Sequence, residues 1–322
     1  MRAPRHWYAP PGLASALLSP LGGVYARATA RRLAQGPRAK LGVPVICVGN
    51  LTAGGTGKTP VVMALAERLA DRQPHILSRG YGGTLAGPVR VDPGRHSAAE
   101  TGDEPLLLSA FAPVWVSKDR HAGGRAAVDA GAGLLILDDG FQNGQLAYDL
   151  QIVVVDAGRG FGNGQVIPAG PLREPISTGL ARADLVISIG PDGAQAQFSA
   201  RHSLPVPILT ARLEPLPTGL PLRGAKVLAF AGIGDPEKFF ATLRGIGADL
   251  HRTIALGDHQ ALSPALMSRI ERDAKALNAL IATTEKDAVR LPASFRQKVV
   301  TVPVRLKLDD PDLLDAALAR LS

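Results

Sequence analysis

A glycine-rich run between a predicted strand and a predicted helix carries the residues best suited to phosphate chemistry. The run Gly54-Gly55-Thr56-Gly57-Lys58-Thr59 follows an apolar segment at 43–48 and precedes a helix-like segment at 61–70. Backbone N–H groups of such a loop can surround phosphates, the lysine can reach the outer phosphates, and the threonine hydroxyl can ligate Mg²⁺. Thr52 stands where the strict P-loop pattern has its first glycine. The core and its strand–loop–helix setting still predict a nucleotide-binding site.

A pair of adjacent carboxylates closes another apolar segment. Asp138 and Asp139 come directly after the predicted strand Leu134–Leu137. In P-loop enzymes an acid at the end of such a strand holds Mg²⁺, directly or through water. Adjacent acids in a loop can equally be solvated turn formers. Their place after a buried strand, in a chain that carries a phosphate loop, favours a metal role.

Asp103 is a candidate general base toward a substrate hydroxyl. It lies in Thr101-Gly102-Asp103-Glu104-Pro105, directly before a leucine-rich helical segment. The alternative is an N-terminal helix cap, and the local sequence alone favours that alternative. His259, in Gly257-Asp258-His259-Gln260, is either a catalytic partner or a plain surface histidine. Taken alone, the surface interpretation is favoured for His259.

Two further loops hold side chains suited to an anionic or sugar ligand. Arg79-Gly80-Tyr81 follows a predicted strand and offers a guanidinium and an aromatic face. Arg173-Glu174 places a cation and an acid in a loop bounded by prolines. Both loops are interpreted as phosphate or sugar contacts, with ordinary connecting loops as the alternative.

The composition limits the classes of protein to which the chain can belong. Its 322 residues, 46% hydrophobic and 20% charged, predict a globular chain with two domains. A single cysteine, Cys47, excludes an intrachain disulfide framework and suits a reducing cytoplasm. Aromatic residues make up only 4%, so no nucleic-acid partner that stacks its bases is expected. The net charge of +8 suits an anionic partner, although charge alone does not choose among them.

Short apolar runs alternate with helical stretches, which predicts an α/β fold with a buried parallel sheet and helices on both faces. A Pro-rich stretch from Leu204 to Pro221 is interpreted as a domain boundary. The predicted organisation is an N-terminal segment 1–40, a P-loop (Rossmann-like) domain 41–215 and a smaller C-terminal α/β domain 216–322, with the active site in the cleft between the two domains. The predicted strands are 43–48, 75–78, 114–116, 134–137, 152–155, 185–188, 226–232, 251–255, 279–283 and 298–303, with late helices at 236–246, 263–277 and 311–320.

The N-terminal segment resembles an amphipathic helix that lies on a membrane surface. Leu13, Leu17, Leu21 and Val24 fall at helical spacing between two groups of arginines. The apolar part, broken by Pro20, is shorter than the roughly 20 residues that a spanning helix needs. We therefore expect an interfacial helix rather than a secretory signal. A helix packed on the protein's own core remains the alternative.

Taken together, the motifs resemble the tetraacyldisaccharide 4′-kinase family of lipid A biosynthesis across nearly the whole chain. The resemblance implies transfer of the γ-phosphate of ATP, with Mg²⁺, to the 4′-hydroxyl of a tetraacylated, 1-phosphorylated glucosamine disaccharide. It also implies a place at the cytoplasmic face of the inner membrane; a monomer is the expectation. The matching residues are Val48-Gly49-Asn50 with Gly54–Pro60, Ser78–Gly82, Gly102–Pro105, Asp138–Gln142, Pro171–Glu174, Phe230–Gly234, Asp258-His259 and Thr284–Asp287.

The resemblance also implies roles for individual residues. Asp103 is expected as the base, assisted by His259 and by Lys58 at the phosphates. Asn143 departs from the family pattern, which has histidine there, so a proton-handling role at that position is not expected. The other implied contacts are Gly54, Gly55, Thr56, Gly57, Lys58, Thr59 and Arg173 for the nucleotide, Thr59, Asp138, Asp139 and Glu174 for the metal, and Arg79, Tyr81, Arg120, Gln142 and Asn143 for the acceptor substrate.

Three other functions fit parts of the pattern. Partitioning-type ATPases share the Gly-Gly-x-Gly-Lys-Thr core but carry a lysine where this chain has Ala53. A GTPase is disfavoured because Glu285-Lys286-Asp287 does not match the Lys-x-Asp pattern that reads guanine. A non-enzymatic, nucleotide-gated membrane scaffold would leave the paired acids and Asp103 without a role.

Overall fold

A computed structural model describes residues 4–35, 38–217, 219–258 and 260–321. Short 3₁₀ turns lie at Arg5–Trp7 and Ala70–Arg72. The strands are β1 (Val45–Gly49), β2 (Pro74–Ser78), β3 (Val89–Arg90), β4 (Val114–Val116), β5 (Leu134–Asp138), β6 (Leu150–Asp156), β7 (Leu185–Ile189), β8 (Ile208–Pro215), β9 (Lys226–Ala231), β10 (Asp249–Ala255), β11 (Leu280–Thr284), β12 (Val299–Val302) and β13 (Val304–Leu308). The helices are α1 (Leu13–Leu33), α2 (Lys58–Arg68), α3 (Ala98–Thr101), α4 (Asp103–Leu108), α5 (Arg120–Asp129), α6 (Ile176–Leu180), α7 (Asp192–Arg201), α8 (Pro236–Gly245), α9 (Pro264–Leu277), α10 (Glu285–Ala288), α11 (Ala293–Arg296) and α12 (Pro311–Leu318).

The larger unit is a nine-stranded sheet in the order β13-β8-β7-β6-β1-β5-β2-β4-β3. Seven of its strands run parallel, and the edge strands β3 and β13 are antiparallel to their neighbours. Every residue of β1, β2, β5 and β7 is buried, because helices cover both faces of the central sheet. This arrangement confirms the predicted α/β fold class and the near-continuous apolar strands on which that prediction depended.

The register of the central strands brings their carboxyl ends to one edge of the sheet. Val48 of β1 lies opposite Asp138 of β5, and Leu77 of β2 lies opposite Leu137. Ligands bind outside the carboxyl ends of the strands in open α/β sheets. The loop after β1, the two acids Asp138 and Asp139 at the end of β5, and Ser78 at the end of β2 therefore meet at one edge of the sheet.

The smaller unit, residues 226–302, is a four-stranded parallel sheet in the order β10-β9-β11-β12. Helix α8 packs against β9 and β10, and α9 packs against β9 and β11. Two features of this part of the chain differ from the sequence-based expectation. The Pro-rich stretch from Leu204 to Pro221 contains a strand, β8, which pairs in parallel with β7 and antiparallel with β13 and ends at Pro215. Residues 304–321, assigned to the smaller unit by the sequence, return to the larger one as β13 and α12.

Helix α1 is continuous through Pro20 and lies on the larger unit by its small side chains. Its buried residues are Ser15, Gly22 and Thr29. At Gly22 an added Cβ would approach the carbonyl oxygen of Val166 to 2.9 Å, so only glycine allows this contact. Asn163 donates a hydrogen bond of 3.0 Å to the Ser15 hydroxyl.

The large apolar side chains of α1 point away from the protein. Leu13, Leu17, Leu21 and Val24 are 86%, 79%, 56% and 61% exposed. Helix α1 therefore does pack on the larger unit, as the alternative interpretation expects, but it does so through small residues and leaves the predicted apolar stripe exposed. Among the described residues, no helix combines the length and apolar character that crossing a bilayer requires.

Candidate active site

The glycine loop after β1 is open on the side where a ligand would lie. Gly54 and Gly57 adopt φ values of +113° and +94°, which favour glycine. An added Cβ at Gly54 or Gly55 would meet no atom within 4 Å. The Asn50 side chain supports the loop by donating to the Gly54 carbonyl oxygen at 3.3 Å and to the Thr56 hydroxyl at 3.2 Å. The loop therefore has the backbone freedom and the space that phosphate binding needs.

Lys58 and Thr59 begin helix α2, so both side chains start at the helix N-terminus next to the loop. Lys58 Nζ lies 3.6 Å from a carboxylate oxygen of Asp139, and Arg173 Nη1 lies 3.3 Å from the same carboxylate. Burial alone would raise the pKa of Asp139, but Lys58 and Arg173 outweigh it and hold that pKa below its usual range. The structure thus brings together two predicted phosphate-binding cations and one predicted metal-site acid.

Asp138 has one carboxylate oxygen in use and one without a partner. Its Oδ2 accepts a hydrogen bond of 3.2 Å from Ser78, while its buried Oδ1 has no hydrogen-bond partner among the described residues. Burial, followed by the carboxylates of Glu104 and Asp139, raises the pKa of Asp138 to about 7. A buried, unpaired carboxylate oxygen beside a phosphate loop fits a hard cation such as Mg²⁺.

In the described residues, no three His, Cys, Asp or Glu side chains are placed to hold a metal ion by themselves. Mg²⁺ commonly takes one or two carboxylates and completes its shell with phosphate oxygens and water. A site built from Asp138, the hydroxyl of Thr59 and nucleotide phosphates agrees with that preference.

Glu174, predicted as a metal ligand, is buried in a bidentate ion pair with Arg182. The two contacts measure 2.8 and 2.9 Å, and the Gln142 amide adds a third at 3.1 Å. Both oxygens of Glu174 are therefore engaged inside the protein. Its role as a metal ligand stays a prediction, and it would require rearrangement of the pair with Arg182.

Arg120, predicted as a substrate contact, is buried and holds the strand ends in place. Its guanidinium donates to the carbonyl oxygens of Leu77 at 3.1 Å and of Asp138 at 3.0 Å. These bonds fix the ends of β2 and β5 relative to each other. In this structure Arg120 positions the Asp138 backbone, and direct contact with the substrate stays a prediction.

Asp103 and Glu104 lie in the first turn of α4, after Gly102 in the N-cap position. Both carboxylates form ion pairs with the smaller unit: Asp103 with Arg290 at 3.3 Å, and Glu104 with Lys286 at 3.0 Å. The alternative of a side-chain cap by Asp103 is not observed, because α4 has no side-chain cap hydrogen bond. His259, its predicted partner, lies outside the described residues.

A cavity of about 880 Å³ runs from the paired acids toward helix α1. Ser78, Asp138, Asp139 and Arg173 line one part of it, and Tyr25 and Arg32 of α1 line another. All five of the predicted acceptor contacts also line it: Arg79, Tyr81, Arg120, Gln142 and Asn143.

Apart from the buried Arg120, these contacts differ in their exposure and in their hydrogen bonds within the protein. Arg79 is exposed, and Tyr81 is 75% exposed. The Gln142 amide donates to the carbonyl oxygen of Asn50 at 2.9 Å and accepts from Arg173 at 3.2 Å. The Asn143 amide bonds to both the backbone and the side chain of Gln145. A substrate therefore meets Arg79 and Tyr81 more readily than the two amides.

Sequence reasoning gave no role to several residues that shape the site. Asn50 follows β1, and Ser78 ends β2. A polar residue at the carboxyl end of an apolar strand is the sequence feature that could have predicted their place in the site. Arg182 and Arg290 gave no local signal, because each acts through partners that the fold brings together.

Comparisons with known proteins point to one family. The family model described as "Tetraacyldisaccharide-1-P 4'-kinase" matches residues 14–322. A protein of Jannaschia sp. (strain CCS1) named tetraacyldisaccharide 4′-kinase is 62% identical over 326 residues, covering 100% of this chain and 99% of that protein. One of the same name from Dinoroseobacter shibae is 58% identical over 329 residues, covering 100% and 98%.

A solved structure supports the same assignment. It is the crystal structure of LpxK from Aquifex aeolicus in complex with ATP, which is similar with a TM-score of 0.78 and 29% sequence identity. The similarity covers 96% of this chain and 99% of that chain. The family match does not favour the alternative of a partitioning-type ATPase. This chain belongs to the tetraacyldisaccharide-1-P 4′-kinase family.

Proposed function

We propose that this chain transfers the γ-phosphate of ATP to the 4′-hydroxyl of a tetraacylated, 1-phosphorylated glucosamine disaccharide in lipid A biosynthesis. Two observations carry the proposal: Lys58 of the phosphate loop lies 3.6 Å from Asp139, and Asp138 and Asp139 line a cavity that is also lined by residues of helix α1. A lipid with a sugar headgroup needs both features: a phosphoryl-transfer centre and an apolar surface beside it.

Binding and orientation of ATP are assigned to the loop and the cations around it. The backbone N–H groups of residues 54–59 surround the phosphates, and Lys58 and Arg173 reach the outer ones. Thr59 and Asp138 would hold Mg²⁺, which would supply neutralisation of the charge on the phosphates. Phosphoryl transfer asks chiefly for positioning and charge neutralisation, and these residues supply both.

Acceptance of the proton from the 4′-hydroxyl is assigned to Asp103. A sugar hydroxyl is too weak an acid to be ionised at neutral pH, so a nearby carboxylate is needed as the reaction proceeds. Asp103 is buried, and Arg290 contacts both its carboxylate and the carbonyl oxygen of Gln260, the residue that follows His259 in the sequence. That arrangement supports a role for His259 as the partner of Asp103 across the cleft.

The part of the cavity next to α1 is suited to the 1-phosphate of the acceptor. Arg32, Lys118 and His121 line it and are exposed, while Asp119 there is engaged as the N-cap of α5. Gly144 also lines the cavity and packs closely against the end of α1, where an added Cβ would lie 3.2 Å from the carbonyl oxygen of Leu33. The disaccharide would then span the cavity, with its 4′ end at the acids and its 1-phosphate at the cations.

Helix α1 is the proposed contact with the cytoplasmic face of the inner membrane. Its exposed stripe of Leu13, Leu17, Leu21 and Val24 is apolar, and Arg27 and Arg31 continue the same helix. Such a combination suits insertion at the boundary between headgroups and acyl chains of an anionic bilayer. The acyl chains of the substrate could then stay in the bilayer while the headgroup enters the cavity.

The experiment compares two acceptors in detergent micelles with ATP and Mg²⁺: the 1-phosphorylated tetraacyl disaccharide and the same lipid with hydrogen in place of its 4′-hydroxyl. We expect only the first to gain a phosphate, seen as a second phosphomonoester signal by ³¹P NMR. Release of inorganic phosphate at equal rates with both lipids, and no phosphorylated lipid, would refute the proposed function and favour a switch ATPase.

A further inference from the structure

One guanidinium of the smaller unit reaches across the cleft to the proposed base. Arg290 follows helix α10, and its Nε lies 3.3 Å from a carboxylate oxygen of Asp103. The two side chains are only 7% and 9% exposed. This buried ion pair therefore connects the two units at Asp103, the residue proposed to accept the proton.

The other nitrogens of Arg290 are fixed by its own unit. Nη1 donates to the carbonyl oxygen of Gln260 at 3.0 Å, and Nη2 forms a close ion pair with Asp287. Asp287 is itself held, because it accepts from the backbone N–H of Gly232 at 3.0 Å and from the hydroxyl of Thr284 at 2.6 Å. The guanidinium is therefore rigidly oriented before it meets Asp103.

Arg290 also links Asp103 to Gln260, the residue that follows His259 in the sequence. The backbone N–H of Gly257 donates to the Gln260 side chain at 2.8 Å, which closes the loop 257–260 on itself. Arg290 holds that loop through the Gln260 carbonyl and holds Asp103 through its Nε. A single side chain thus sets the position of the base relative to the loop that contains His259.

Stability alone is a weak explanation for this buried cluster. Replacing buried ion pairs by apolar side chains is often neutral or stabilising, because the charges lose their hydration. Nε of Arg290 also makes no hydrogen bond in the described part of the chain, although it is buried and faces Asp103. The contact between Arg290 and Asp103 is therefore electrostatic, and it depends on the position in which Asp287 and the Gln260 carbonyl oxygen hold the guanidinium.

We propose that Arg290 is a positioning residue for phosphoryl transfer. Its guanidinium aligns the Asp103 carboxylate with the loop 257–260, so that the base faces the acceptor hydroxyl only when the two units are docked. This inference rests on the proposed function, in which Asp103 receives the hydroxyl proton. Arginine is required because lysine has no planar fork that can contact two sites in fixed directions.

The matched control removes a different guanidinium between the same two units. Arg305 of β13 contacts Glu285 of α10 at 2.8 Å, and neither residue contacts Asp103 in the interactions described above. Arg305→Met therefore weakens docking of the units without disturbing the base. Comparison with Arg290→Met separates alignment of Asp103 from the general contribution of an ion pair between the units.

The experiment measures kcat and KM for ATP and for the lipid acceptor in full-length R290M, R290K, D103N, D103N/R290M and R305M, with thermal denaturation of each. We expect R290M to lower kcat by about tenfold to a hundredfold, with KM for ATP changed by less than about twofold. R290K should recover only part of the loss, and R305M should keep kcat within about threefold of the wild type. D103N/R290M should be no slower than D103N, because Arg290 acts through Asp103.

Each contrary outcome has a separate meaning. The positioning role would be overturned if kcat of D103N/R290M fell by the product of the two single losses. Equal kcat values for R290M and R305M would overturn it as well. If R290M does not fold, a folded R290K with wild-type kcat would overturn it instead. Failure of the wild-type protein to phosphorylate the lipid would refute the proposed function, and a wild-type kcat for D103N would refute the assignment of the base.

Discussion

Replacing Leu13 and Leu17 by serine should release the protein from lipid vesicles without affecting its fold. The two residues are 86% and 79% exposed, so the substitution removes apolar surface that makes little contact with the rest of the protein. Neither residue belongs to the buried face of α1, which consists of Ser15, Gly22 and Thr29. The change therefore tests the contact with the bilayer and leaves the contact with the larger unit intact.

The magnitude follows from the exposed area. Together the two residues present about one and a half leucine side chains, and full burial of one contributes about 1.5–3 kcal/mol. Complete entry into the acyl boundary would make the double substitution cost about 2–5 kcal/mol of partition free energy. An interfacial helix buries its apolar face only in part. Half of that range, about 1–2.5 kcal/mol, still lowers the partition constant by about fivefold to seventyfold.

The assay is flotation with vesicles that contain anionic phospholipid, over a range of lipid concentrations. The matched control is A16S/A28S, which places two serines at exposed alanines of the same helix and removes little apolar area. We expect the control to bind as the wild type does and L13S/L17S to need at least about fivefold more lipid for the same bound fraction. Equal binding of L13S/L17S and the wild type, with unchanged thermal denaturation, would refute the role assigned to the exposed stripe.

Three other substitutions test the site. D103A should lower turnover by roughly 10²–10⁴-fold while ATP affinity in equilibrium binding barely changes; loss of ATP binding would make Asp103 a nucleotide ligand or a structural residue. E174Q should lower the free energy of unfolding by about 3 kcal/mol in denaturant titrations without Mg²⁺, because it leaves Arg182 without its counter-charge; unchanged stability with a higher Mg²⁺ requirement would instead support a metal ligand. Burial raises the pKa of Asp138 to about 7, so the native state binds more protons than the unfolded state between about pH 4 and pH 7. Without nucleotide and Mg²⁺, the free energy of unfolding should therefore fall by about 2 kcal/mol from about pH 5.5 to pH 7, and D138N should flatten this dependence; equal slopes in D138N and the wild type would contradict it.

The central strands could be predicted because each carries its own local signal. The run Leu134–Leu137 is continuously apolar and becomes the fully buried β5. Strand β8 was missed because five prolines between Leu204 and Pro221 suggest a boundary. The strand occupies the interval Ile208–Pro215, where prolines are absent until its last residue. The return of β13 to the larger sheet is a long-range pairing that no local pattern encodes.

In the candidate site, too, residues with a local sequence signal could be predicted, whereas residues whose partners lie far along the chain could not. The phosphate loop and Asp138-Asp139 are recognisable because the chemistry depends on neighbours in sequence, and the structure brings Lys58 to 3.6 Å from Asp139. Arg120 and Glu174 carry charges whose partners lie elsewhere in the fold. Arg120 turns inward to backbone carbonyls of two strands, and Glu174 pairs with Arg182. Sequence can identify a charged residue near a site, whereas the direction of its side chain depends on tertiary packing.

The central claim is that the phosphate loop and Lys58 direct phosphate from ATP to a lipid hydroxyl. The most direct measurement follows γ-³²P from ATP with Mg²⁺ into the 1-phosphorylated tetraacyl disaccharide and into inorganic phosphate, for the wild type and Lys58→Ala. We predict labelled lipid with the wild type and a loss of at least about a hundredfold in the variant. Label appearing only in inorganic phosphate, or equal labelling of lipid by both proteins, would contradict the claim.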